Sequence, residues 1–172
     1  MHAVTRLGTS AAIISLVTFS AMTSTLDTAA ASPGANDATT VPLDADLRQC
    51  DFSLVRTAPM VPHPLLGTGS AVIRRAGSRV VAEVHLVDAS GPGTHFNVEL
   101  IQEPRPSLAG CGPGDPGTAF SGLDTDAAGA ATTTLQDSIR PGTTGVWVMI
   151  ERPDGNSQNP GAYYSSEFVA PV

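Results

Sequence analysis

The polar residues best placed to do chemistry are Glu83, His85, His95, Asn97 and Glu99, which alternate along two β-like runs. Imidazole beside carboxylate on neighbouring strands can ligate a transition metal or work as a general acid–base pair. The separation of His85 and His95 matches no closed ligand set, however, and His63 lies apart in a Pro-rich stretch. The grouping reads as the solvated face of a sheet, with a metal or acid–base enzyme on the His85/Glu99 face as the alternative. Gly67-Thr68-Gly69-Ser70-Ala71 is not a Gly-x-Ser-x-Gly elbow, and it precedes a strand where the elbow needs a helix. The run from Asp154 starts like a calcium loop and then fails, because Asn159 stands where Gly is needed and Ser165 where a bidentate Glu is needed. No catalytic residue, metal or cofactor is expected.

Trp147 and Met149 share one face of a run whose other face carries Val146, Val148 and Ile150. One face is core. The other either lies beneath a neighbouring segment or forms an exposed patch that invites a partner. Tyr163 and Tyr164 follow a Gly-rich loop and extend such a patch, so Trp147, Met149, Tyr163 and Tyr164 are the candidate binding residues. Cys50 and Cys111 make an even pair, which in an exported chain points to a disulfide; two thiolates cannot complete a tetrahedral zinc site. Closing a loop of that length stabilises by roughly 4 kcal/mol in the chain-entropy picture.

The elements that must position these residues are strands. Short β-branched runs between Gly and Pro predict strands at Phe52–Thr57, Gly69–Arg75, Arg79–Asp88, His95–Glu103, Thr118–Leu123, Ala130–Ser138, Thr144–Arg152 and Tyr163–Val169, with no sustained helical period. Alternation puts Val80, Ala82, Val84 and Leu86 on a core face with Phe96, Val98 and Leu100; Glu83, His85, His95, Asn97, Glu99 and Ile101 point outward. Arg79–Asp88 and His95–Glu103 are expected to form a hairpin across Ala89–Thr94. Arg74, Arg75 and Arg79 flank another hairpin turn as solubilising edge charges. Asp126 accepts from the backbone two residues on and Gly129 takes positive φ in a further turn. Cys111 falls in the long Pro104–Gly117 connection, so the disulfide pins that loop to the first strand.

The run Thr125-Asp126-Ala127-Ala128-Gly129-Ala130, then Arg140-Pro141-Gly142-Thr143, then Val146-Trp147-Val148, resembles the last three strands of bacterial immunoglobulin-like or prealbumin-like secreted modules. The resemblance implies an all-β, antiparallel immunoglobulin-like β-sandwich of about 7–8 strands and carries no catalytic residue. Trp147 follows both cysteines instead of lying between them, which departs from the antibody-type pattern. Exported copper–zinc superoxide dismutases are also β-sandwiches, but their metal site needs more histidines than this chain offers.

Residues 1–31 read as a cleavable signal peptide: a start carrying Arg6, a diluted apolar stretch from Leu7 to Met22, and small residues at Ala29-Ala30-Ala31. Residues 32–47 are expected to be disordered and 48–172 to form one domain. No transmembrane span is expected after cleavage. The chain has 172 residues, a net charge of -7 and nine Arg with no Lys, a balance that argues against nucleic acid. Avoidance of Lys beside abundant Ala, Gly and Pro resembles the output of a GC-rich bacterial genome. The expected product is secreted, or held noncovalently at the cell envelope, and binds an extracellular protein or glycan without catalysis; a structural envelope component is the third reading.

Overall fold

The computed structural model describes residues 38–55, 67–88, 91–156 and 160–172. The signal-peptide reading of 1–31, His63 and the far side of the loop from Asp154 lie outside the described residues. Those residues contain strands and no helix: β1 Ala38–Asp44, β2 Gly67–Ala76, β3 Arg79–Asp88, β4 His95–Glu103, β5 Thr118–Asp124, β6 Ala130–Ser138, β7 Gly145–Arg152, β8 Ala162–Ser166 and β9 Ala170–Pro171. All pairings are antiparallel, in the order β5-β4-β7-β8-β1-β2-β3-β6, with β9 also on β7. β4, β5 and β6 follow one another and β7 returns to lie beside β4, a Greek-key path.

The two ends of this order, β5 and β6, meet without a backbone ladder, so the sheet is a nearly closed barrel. Side chains close the seam instead. Near the turn, the Ser121 and Thr133 hydroxyls lie 3.0 Å apart. At the other end Gln102, fully buried, donates to Asp137 Oδ2 (2.6 Å) and Ser138 O (2.9 Å) and accepts from Arg140 N (2.9 Å) and Thr143 Oγ1 (2.8 Å). One amide thus satisfies both of its ends inside the barrel.

Alternation selects the interior as expected: Val80, Ala82, Val84 and Leu86 of β3 and Phe96, Val98 and Leu100 of β4 are all within one core. The turn after β5 also forms as read, with Asp126 Oδ1 accepting from Ala128 N and Ala130 N and Gly129 at φ 79°. Arg74, Arg75 and Arg79 surround the two-residue turn between β2 and β3 and are exposed.

Three expectations are corrected. Residues 38–44, placed in the disordered segment 32–47, form β1, because Val41 and Leu43 fill the core while the backbone bridges β2 and β8; the folded domain starts before residue 48. The run from Phe52 is no strand: within its described part the chain turns after Cys50 and makes one bridge, Arg48 to Leu54. β3 and β4 do not form a hairpin, since β3 lies between β2 and β6 while β4 lies between β5 and β7. Instead of folding back, the chain at Gly93 and Thr94 hydrogen-bonds to Thr125, whose hydroxyl in turn bonds to Gly91 O.

Candidate functional site

β7 runs Gly145-Val146-Trp147-Val148-Met149-Ile150, and all six residues are buried. A strand apolar on both faces needs a layer against each. Val146, Val148 and Ile150 enter the barrel core; Trp147 and Met149 enter a second cluster on the outside of the sheet, with Ile101 and Cys111 and with Cys50, Phe52 and Val169 packed against them. Two irregular segments, 45–55 and 104–117, form the cap over this cluster, and the Cys50–Cys111 disulfide joins them with a Cα separation of 5.5 Å. The expected bond is present, but it pins the loop to an irregular segment and not to a strand.

The first cap segment rests on Trp147: the Phe52 ring meets the Trp147 ring edge-on at 5.4 Å, and Trp147 Nε1 donates to Glu103 Oε1 of the neighbouring β4 at 2.9 Å. The Arg48 guanidinium lies over that phenyl ring, 4.0 Å from its centroid, and donates to Phe52 O at 3.1 Å. Phe52 sits in the left-handed region at φ 63°, which costs a side-chain-bearing residue energy that these contacts offset. Arg105 is buried and shapes the second segment from within: it donates to Gly110 O, Pro116 O (2.8 Å), Gly117 O (3.0 Å) and Thr118 Oγ1 (3.1 Å). At the tip of the loop so fixed, Leu108 is 99 % exposed.

The cap also covers carboxylates. Glu99 lies opposite Met149 on one side and Phe120 on the other and is 7 % exposed, with Oε2 buried and without a hydrogen-bond partner. Burial, and then repulsion from Glu151, push its carboxyl up to about 7; Arg105 offsets part of this and Asp115 adds to it. Glu151, on β7, is raised as well by burial. Arg105 Nε is a second buried atom with no partner.

The residues singled out in the sequence are therefore distributed differently from expectation. Trp147 and Met149 lie beneath a neighbouring segment, the first of the two arrangements their alternation allows, and with Tyr163 and Tyr164 also buried the four do not form an exposed patch. Tyr163 pairs with Glu151 on the outer face, whereas Tyr164 points inward and donates to Asp88 Oδ2 at 3.1 Å. His85 contacts Thr132 Oγ1 at 3.1 Å on β6, and His95 pairs with Asp124 at 2.7 Å on β5. With β3 and β4 unpaired, His85 and Glu99 do not face one another across a hairpin, and Glu99 and Ile101 point outward only to meet the cap. Beside His85, Val87, Asp126 and Thr132 line a hollow of about 400 Å³. Among the described residues, no three His, Cys, Asp or Glu side chains stand close enough to hold a metal ion.

Sequence reasoning missed Gln102, Glu103 and Arg105. A usable signal was that β7 carries two apolar faces while the two cysteines lie outside the strands, so a stapled layer had to exist. The sequence matches no protein-family model and no curated protein.

Proposed function

We propose that this chain is a secreted, non-catalytic module whose contact surface for an extracellular or envelope protein is the tip of the stapled cap around Leu108. One observation carries the reading: a large aliphatic side chain is 99 % exposed on a loop whose backbone is fixed by a buried arginine and a disulfide. Apolar surface left in water gains when a partner covers it, and a loop already ordered loses little entropy on binding. An aliphatic tip suits an apolar pocket on a protein, which favours a protein over a glycan. The disulfide and the absence of any long apolar helix among the described residues are consistent with export. Kinship with immunoglobulin-like sandwiches belongs to the proposal at the level of secreted all-β modules; the order β1-β2-β3-β6 sets the third strand beside the second, where antibody-type domains set the fifth. A catalytic reading would need His85 and Glu99 to work together, and their strands do not pair.

The test compares Leu108→Asp with the His85→Ala/His95→Ala double variant in capture of partners from the extracellular and envelope fractions of the producing cells. A partner held by the wild type and the histidine variant, and bound at least about tenfold more weakly by Leu108→Asp, supports the proposal. Equal binding by Leu108→Asp, or loss with the histidine pair alone, overturns it.

A further inference from the structure

We propose that Glu99 and Arg105 form a proton-operated latch of the cap: with Glu99 neutral, Arg105 is spent on the loop carbonyls, and with Glu99 ionised the carboxylate competes for that guanidinium and loosens the loop. This goes beyond the partner reading and does not depend on it. The geometry supplies two complementary orphans, a buried acceptor at Glu99 Oε2 on the face the cap covers and a buried donor at Arg105 Nε inside the cap, and the guanidinium's charge acts on the carboxyl. No hydrogen bond or ion pair joins Arg105 to Glu99, so the guanidinium can reach an ionised carboxylate only by shifting, and a shift disturbs the terminal nitrogens that hold Gly110 O, Pro116 O, Gly117 O and Thr118 Oγ1. A buried neutral carboxyl tolerates that arrangement far better than a buried anion.

The surrounding charges set the direction. From β7, Glu151 repels an anion at Glu99; from the connection, Asp115 repels it and Arg105 attracts it. Glu103, on the same strand, is bonded to Trp147 Nε1. Met149 and Phe120, directly across on β7 and β5, carry no charge. On β8, Tyr163 stands opposite Glu151, with Asp46 beside it and Arg48 on Asp46 at 3.8 Å. Among the described residues, Arg105 is the cation acting on Glu99, with Arg140 beside it, and Arg105 also holds the loop, so ionisation draws on the contacts that fix residues 110–118.

Trp147 is the chain's single tryptophan and lies beneath the cap, so its fluorescence reports the latch directly. In the disulfide-intact protein, titration from pH 5 to 9 should give one fluorescence transition centred near 7. Across it, amides of residues 104–117 should exchange about tenfold faster than intrinsic chemistry accounts for, while β2 and β3 stay unchanged. Glu99→Gln, which imitates the neutral acid, should abolish the transition, Glu151→Gln should move it to lower pH, and the exposed His85→Ala/His95→Ala pair should leave it in place. A transition that survives Glu99→Gln, or follows the histidines, or is absent from the wild type, overturns the proposal. Should Glu99→Gln fail to fold, carbon-detected titration of the wild-type Glu99 carboxyl decides: a midpoint near 7 supports the latch and one near 4.5 overturns it.

Discussion

The barrel and its cap bury side chains by opposite means. Inside the barrel, apolar residues from all nine strands meet across a continuous core, and the polar groups Gln102 and the Tyr164–Asp88 pair that enter it are hydrogen-bonded. Under the cap, four core residues are covered by irregular chain held by one disulfide, one cation over a ring and one arginine, and three buried polar atoms there, Arg48 Nε, Glu99 Oε2 and Arg105 Nε, have no partner; the fourth such atom, Arg140 Nε, belongs to the residue at the barrel seam that bonds to Gln102. A satisfied interior resists change, while an unsatisfied one stores a response that a proton or a partner can release.

The largest expected effect breaks the barrel. Val84→Asp puts an unpaired carboxylate at a fully buried core position and should cost roughly 4–5 kcal/mol, enough to prevent folding, as circular dichroism will read. Replacing Cys50 and Cys111 together by Ala should cost roughly 3–4 kcal/mol by urea denaturation and change Trp147 emission, yet leave the strand signal intact. If the strand signal collapses with it, the two regions are not separable. Gln102→Leu should cost about 2–3 kcal/mol by opening the seam, because it strands Asp137, Arg140 N and Thr143 without their buried partner.

The pH dependence sharpens the comparison further. The folded Glu99 carboxyl, raised to about 7 from an ordinary value of 4.5, holds a proton that the unfolded chain has released. Between those values the folded state binds more protons, so stability is fully present below about 4.5 and falls as pH rises through about 7. The loss should be on the order of 2 kcal/mol, measured as the difference in urea midpoints at pH 5 and 8, and Glu99→Gln should flatten it. Glu83→Ala, an exposed change one residue before Val84, should alter stability by less than about 0.5 kcal/mol.

How much of this was legible from sequence follows the same division. The core faces of β3 and β4 and the Asp126–Gly129 turn were readable, since they depend on period-two alternation and local turn chemistry. β1 was not, because its contribution rests on only two large apolar residues beside Pro42 and is realised only by bridging β2 and β8. Strand partners were misread where the chain crosses between layers after Asp88, a choice made by long-range pairing. The burial of Glu99 was hidden for the same reason: alternation placed it outward correctly, and only the distant segments 45–55 and 104–117 turn that outward face into an interior.

If partners meet the cap and not the barrel wall, site-specific photo-crosslinking will separate the two surfaces. A photoreactive amino acid is placed at Leu108 on the cap or at Val87, an exposed apolar residue of the barrel wall at 47 % exposure, and the folded, oxidised protein is irradiated with its native extracellular fraction. One dominant crosslinked protein is expected from position 108 and none above background from position 87. A partner captured equally well or better from position 87 would contradict it.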